Sequence, residues 1–210
     1  LDASECRYTY SMLDRAGIYR LRGTIGSARY ISLQLIGLVS AINAQVSGGQ
    51  SINQLGLKPA PDGSFELMIA AERPKDWQGP WLRPSEHDNS IFTREYFDDW
   101  ENTKPSKFYI ERLDHASQRP LDPSAVGAIA QVIAKDFTSG LKQWNTTVAQ
   151  IRSKAVNRIL PPRSEHASGG QDELAYCQGA FKLQPGEALI VEMEAPDAHF
   201  WSAQLGNLWW

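Results

Sequence analysis

The chain repeats itself. Ala28-Arg29-Tyr30-Ile31-Ser32-Leu33-Gln34-Leu35 returns as Ala198-His199-Phe200-Trp201-Ser202-Ala203-Gln204-Leu205, an offset of 170 residues (198 minus 28). The register extends backward: Tyr19 and Leu21 face Leu189 and Val191, and the turn near Gly26 faces Pro196-Asp197. A repeat at this range points to two related structural units. The first copy is followed by a long stretch of strand-like sequence, whereas the second ends at Trp209-Trp210. A sheet ending on an apolar pair leaves a sticky edge that folded proteins cover. The expectation is therefore that the chain is part of a longer polypeptide, or that a partner chain completes its second sheet.

Alternation of apolar and polar residues predicts strands at 6–13, 18–24 and 28–37, separated by the turn signals Asp14-Arg15-Ala16-Gly17 and Gly26-Ser27. Residues 38–54 hold Gly48-Gly49 and many small or polar residues, and read as a loop or short helix. Asp62-Gly63 opens a strand at 64–71. Residues 73–90 carry three prolines, Trp77 and Trp81, and read as an irregular loop. Strands follow at 91–97 and 107–113. Asp122-Pro123 is a helix start, and Ile129, Ile133, Phe137, Leu141, Trp144, Val148 and Ile151 recur every three or four residues. This predicts an amphipathic helix from residue 122 to about Arg158, with a break at Ser139-Gly140 as one option, ended by Pro161-Pro162. Its apolar stripe is expected to dock on a sheet, or alternatively to form a dimer contact. Strands at 177–183, 187–194 and 198–206 make up the second copy.

The expected fold is mainly β: a jelly-roll-like antiparallel β-sandwich with an inserted amphipathic helical segment. The expected units are residues 1–115, a first β unit; 116–162, the helical insertion; and 163–210, the start of a second, related β unit. A parallel α/β sheet would need a helix after nearly every strand, and those are missing.

Charge excludes some functions. The net charge of −3 shows no basic excess that would favour nucleic acid. No run is long and apolar enough for a membrane-spanning helix. The compartment stays open between cytoplasmic and exported. Cys6 and Cys177 are the only cysteines; both precede equivalent strands of the two copies, so they are read as two reduced thiols or, in an oxidising compartment, as a disulfide.

Several blocks resemble a known family. They are Phe65-Glu66-Leu67 with Ala71-Glu72-Arg73-Pro74, Trp81-Leu82, Arg94-Glu95-Tyr96-Phe97-Asp98-Asp99-Trp100 and Ile110-Glu111-Arg112-Leu113, then Glu187-Ala188-Leu189-Ile190-Val191-Glu192 and Phe200-Trp201-Ser202 with Gln204-Leu205-Gly206-Asn207-Leu208-Trp209-Trp210. Together they resemble the bacterial domain-of-unknown-function family 1214, and Arg-x-Tyr-Phe-x-Asp-Trp is the most specific of them. The resemblance implies a jelly-roll-like β architecture in proteins that usually continue past the equivalent of Trp210. It implies no activity and no catalytic residues.

Chemistry must therefore be read from the residues. Arg94, Glu95, Asp98, Asp99 and Glu101 cluster at a strand end. An Arg can orient an anionic or hydroxyl-rich ligand, and carboxylates can do acid–base work. Paired carboxylates across a cleft hydrolyse glycosidic bonds. The competing reading is an Arg–Asp ion pair that caps a turn, with Trp100 packed over it. Alternation puts Arg94, Tyr96 and Asp98 on one face and Glu95, Phe97 and Asp99 on the other. Aromatic side chains, Tyr30, Trp77, Trp81, Tyr96, Trp100 and Trp201, are candidates to stack on a sugar ring, against the competing reading of a tryptophan-rich core. Gln34 and Gln204 hold matching positions in the two copies. His87, His115, His166 and His199 are too scattered for metal spacing, and no Gly-x-Ser-x-Gly elbow or phosphate loop occurs.

The sequence reading is a hydrolase, glycosidase-like, acting on a carbohydrate-like or other hydroxyl-rich substrate. Its catalytic candidates are Asp99, Glu95 and Asp98; its ligand-binding candidates are Arg94, Tyr96, Trp100, Trp81, Trp201 and Gln204; Glu66, Glu111 and Glu192 are further carboxylates. No metal or cofactor is expected. The alternatives are a non-catalytic carbohydrate- or small-ligand-binding protein, and an assembly subunit, homo-oligomeric or completed by another chain. Two carboxylates lining one cleft about 5–9 Å apart favour hydrolysis. A cleft lined by tryptophans with no acid pair favours binding.

Overall fold

A computed structural model describes residues 6–37, 47–114, 123–164, 166 and 170–207. The first part folds as two facing four-stranded sheets. The strands are β1 (Cys6–Met12), β2 (Tyr19–Thr24), β3 (Tyr30–Gly37), β4 (Ser47–Asn53), β5 (Ser64–Ile69), β6 (Trp81–Leu82), β7 (Ser90–Tyr96) and β8 (Lys107–Arg112), with a single helical turn α1 (Gln54–Leu57) after β4. The first sheet has the order β1-β7-β3-β4 and is antiparallel throughout. The second has the order β6-β5-β2-β8, antiparallel except for the parallel β5–β6 pair.

The alternation read from the sequence explains the layering. Ile31, Leu33 and Leu35 of β3 and Ile91 of β7 point from the first sheet toward Tyr19, Leu21, Phe65, Leu67 and Ile69 of the second, and Leu13, Leu57 and Leu82 complete one core. Burying each such aliphatic side chain is worth roughly 1.5–3 kcal/mol. Turn chemistry sets the register. Asp14 Oδ1 accepts the Ala16 N–H at 3.0 Å, and Asp62 Oδ1 accepts the Ser64 N–H at 2.9 Å, the local bonds that make Asp a turn residue.

Two predicted segments differ. Part of the expected loop at 38–54 is the edge strand β4. Its composition hides it, because Gly48-Gly49-Gln50-Ser51 shows no apolar alternation. The reason Gly49 is tolerated is contact: a Cβ there would lie 2.5 Å from the Asp88 carboxylate, which is itself buried. The close approach of another chain segment is what glycine in a strand commonly marks. The loop at 73–90 is irregular as expected, except that Trp81-Leu82 pairs with Met68-Ile69 as β6.

The helix α2 (Pro123–Lys154) is continuous through Ser139-Gly140 and ends before the expected Arg158. Short bridges follow: β9 (Arg158–Ile159), β10 (Arg163–Ser164), β11 (Ala175–Tyr176) and β12 (Gly179–Ala180), paired β10–β11 and β9–β12. The docking expectation for α2 is corrected. The helix meets β12 near its C-terminal end, while Val126, Ile133, Phe137 and Leu141 are exposed; the side chain of Ile129 lies outside the described residues. The second copy is corrected too. Only Gly179–Ala180 of the expected strand 177–183 is paired, and 187–194 and 198–206 form no ladder among the described residues. A strand is stable only beside a partner, and the alternation of these segments supplies a face without supplying that partner. The two copies nevertheless touch at their matching positions: Arg29 Nε donates to the His199 carbonyl at 3.3 Å. Trp209 and Trp210 lie outside the described residues.

Candidate functional site

Strand alternation brings part of the predicted cluster together on the outer face of the first sheet. Tyr30, Ser32 and Gln34 of β3 lie beside Arg94 and Tyr96 of β7. Arg94 Nη1 donates to Gln34 Oε1 at 2.7 Å, and its guanidinium lies 4.7 Å from the Phe92 ring centroid. This face is filled by protein. Gln34 Nε2 donates to the Gly170 carbonyl at 2.8 Å, Ser32 Oγ to Gln171 Oε1 at 2.9 Å, and Tyr30 and Asn53 both donate to Glu173, at 2.6 and 2.8 Å. Tyr96 packs against Phe200, centroids 5.1 Å apart. Burial, and then the Glu173 carboxylate, push the Tyr30 hydroxyl well above its ordinary range, so it stays a donor. Buried polar groups paired in this way specify a packing arrangement. Gln34 is fully buried within it, whereas Gln204, its match in the second copy, is exposed.

The proposed acids are not brought into one cleft. Glu95 turns to the opposite face, as alternation requires, and is fully buried at the edge of the core. Its carboxylate accepts the Ser106 N–H at 2.8 Å and pairs with Arg7 at 3.4 Å. Asp99 is exposed and caps a turn: it accepts the backbone N–H groups of Glu101 and Asn102, both at 3.1 Å, and the Asn102 side chain at 2.8 Å. The Asn102 side chain, then its backbone N–H, hold the Asp99 carboxyl below the usual range, which keeps it ionised and unsuited to donate a proton near neutrality. Asp98 is exposed. Trp100 is half exposed and packs on Phe97, centroids 4.9 Å apart. Trp201 is half exposed in the C-terminal stretch, which forms no ladder among the described residues.

The cysteines are both free thiols. Cys6 is buried beside Tyr96 and Tyr30, and that burial pushes its thiol up to about 11. At pH 8 about one Cys6 in a thousand is then thiolate, the only reactive form. We expect Ellman's reagent at pH 8 to titrate one thiol per native chain, Cys177, and two after denaturation. Rapid labelling of both thiols in the native protein would contradict the burial of Cys6.

An open groove lies on the second sheet. Its volume is about 870 Å³, and its walls come from β2, β5, α1 and the loop before β6. Trp77, Pro80 and Trp81 line it, with Arg22, Lys58, Glu66 and Arg73 among the charged side chains. The two indoles are held from behind. Trp77 Nε1 donates to the Pro80 carbonyl at 2.7 Å, and Trp81 Nε1 to the Ala70 carbonyl at 3.0 Å. The Trp77 ring lies against Gly79, where a Cβ would come within 2.6 Å of it. Arg73 staples the loop, donating to the Trp77 carbonyl at 3.1 Å and the Gly79 carbonyl at 2.9 Å. Both rings are half-buried, so their positions are fixed while part of each remains accessible. Rigid aromatic surface of this kind binds at low entropic cost. A smaller hollow of about 330 Å³, beside Gly26 and Lys104, has no aromatic lining.

Trp77, Trp81 and Glu66 are thus the sequence candidates that reach the groove, and Arg22, Lys58 and Arg73 are additions that no local pattern marks. The available signal was two tryptophans, three prolines and a glycine in one short loop. No three His, Cys, Asp or Glu side chains converge as a metal set among the described residues, and no described helix is long and apolar enough to cross a membrane.

No family model matches the chain, and no curated protein does. The chain is similar to a crystal structure of an uncharacterized protein from Burkholderia cenocepacia, with 26% identity and a TM-score of 0.76 over 87% of this chain. This chain spans about half that protein's length, 51%. A Vibrio parahaemolyticus protein of known structure is 15% identical over 52% of this chain and 31% of its own, with a TM-score of 0.36.

Proposed function

We propose that the protein binds a hydroxyl-rich small molecule or oligosaccharide in the tryptophan-lined groove of its second sheet, without hydrolysing it. The observation that carries this reading is the pair of indoles, Trp77 and Trp81, anchored through their N–H groups in an open groove whose lining includes a single carboxylate, Glu66. A glycosidase of the usual kind needs two carboxylates flanking the bond. Glu95 and Asp99 are each committed to local hydrogen bonds elsewhere. Sugar rings present flat apolar faces to aromatic rings and hydroxyls to polar rims, the composition found here.

The sandwich carrying this groove is, in our reading, jelly-roll-like and related to the domain-of-unknown-function family 1214. The adjacency of the first strand β1 and the late strand β7 in one sheet supports the jelly-roll part of this reading, and the family part rests on the sequence blocks. The function is tested by titrating the protein with cellohexaose and hexagalacturonate and following tryptophan fluorescence. Binding of either, weakened by Trp77→Ala and without release of shorter sugars, is expected. Release of shorter sugars on incubation would restore the hydrolase reading.

A further inference from the structure

The charges around the groove run against the charge of the chain. The chain carries a net −3, yet the groove lining holds Arg22, Lys58 and Arg73 against one carboxylate, Glu66. All four side chains are exposed. Their partners differ. Arg22 lies 3.7 Å from Glu111, a carboxylate that Arg20 engages more closely, at 3.0 Å. Arg73 donates to the backbone carbonyls of Trp77 and Gly79, which hold the guanidinium in place without neutralising it. Lys58 sits on the groove wall in the left-handed conformation, φ 49°, as the cap of α1. Among the described residues neither Lys58 nor Arg73 pairs with a carboxylate.

We infer that the ligand of this groove is an acidic saccharide, with its ring against Trp77 or Trp81 and a carboxylate on Arg73 and Lys58. The inference rests on the binding reading above and names its ligand class. A neutral sugar can accept hydrogen bonds from the two cations but brings no charge to meet theirs. An acidic sugar gains charge-assisted hydrogen bonds, with Arg73 already held in its bound geometry. At an exposed site such contacts are screened by salt, so they select among ligands more than they raise total affinity.

The test compares hexagalacturonate with cellohexaose by calorimetry on the wild-type chain. The acidic sugar should bind about tenfold tighter at low salt, and that advantage should shrink severalfold between about 0.02 M and about 0.3 M NaCl. Lys58→Gln should lower hexagalacturonate affinity about three- to tenfold with little change for cellohexaose, and Lys58→Arg should restore it. Arg73→Gln also releases the loop, so its effect is read only beside an unchanged melting temperature. Equal affinity for the two sugars, or a preference untouched by Lys58→Gln, would overturn the acidic class while leaving the groove reading standing. Failure of both sugars to bind would overturn the groove reading itself. Displacement of bound hexagalacturonate by inorganic phosphate alone, at matched concentration, would reduce the site to a simple anion site and overturn the saccharide.

Discussion

Glu95→Ala is expected to destabilise the protein by about 2–4 kcal/mol and to lower its melting temperature by roughly 10 °C. The carboxylate is fully buried, accepts the Ser106 N–H at 2.8 Å and faces Arg7 at 3.4 Å. Deleting it leaves the Ser106 N–H without its acceptor inside the fold, opens a cavity at the core edge and removes a charge partner. Arg7 is 39% exposed and can turn to water, which places the cost below that of severing a fully buried pair. Glu95→Gln keeps the shape and an acceptor for Ser106 but not the charge, so about half the loss is expected. Thermal melts of both variants check this. A Glu95→Ala protein as stable as wild type, but with altered ligand handling, would return Glu95 to the functional site.

Trp77→Ala is expected to weaken oligosaccharide binding about thirtyfold, and Trp77→Ala with Trp81→Ala to take it below detection. Covering one indole face with a sugar ring removes enough apolar surface to be worth about 2 kcal/mol, and each 1.4 kcal/mol is about tenfold in affinity. The loss falls mainly on binding because Trp77 lies in a loop outside both ladders and leaves part of its ring accessible. Trp81 also belongs to the β6 strand paired with Met68, so Trp81→Ala carries the larger stability cost of the two. The Trp→Phe variants separate the two effects, since a smaller ring keeps part of the stacking face. Titration calorimetry with the better of the two oligosaccharides measures each variant. Unchanged affinity in Trp77→Ala would place the ligand elsewhere.

Much of the first sandwich was legible because its strands obey period-two alternation and its turns carry Asp and Gly where local bonds require them. β4 was not, because Ser47–Asn53 earns its place through close approach to Asp88 rather than through apolar alternation. The second copy misled for the opposite reason. Residues 187–194 alternate well, but pairing depends on a neighbouring chain segment that alternation cannot reveal. The site divides in the same way. Alternation correctly put Arg94 and Tyr96 on one face and Glu95 on the other, yet it could not show that 170–174 fills the Arg94 face. The groove brings residues 22, 58, 66, 73, 77 and 81 together across β2, α1, β5 and a loop. Such a convergence follows from the β2–β5–β6 pairing, and no local motif records it.

The most direct test is an indole NMR map. Protein labelled with ¹⁵N at tryptophan is titrated with hexagalacturonate, and the side-chain N–H signals are assigned with Trp→Phe variants. If the groove is the binding site, the Trp77 and Trp81 signals shift together and saturably while those of Trp100 and Trp201 stay in place. Shifts confined to Trp100 or Trp201, with Trp77 and Trp81 unmoved, would contradict the assignment of function to the groove.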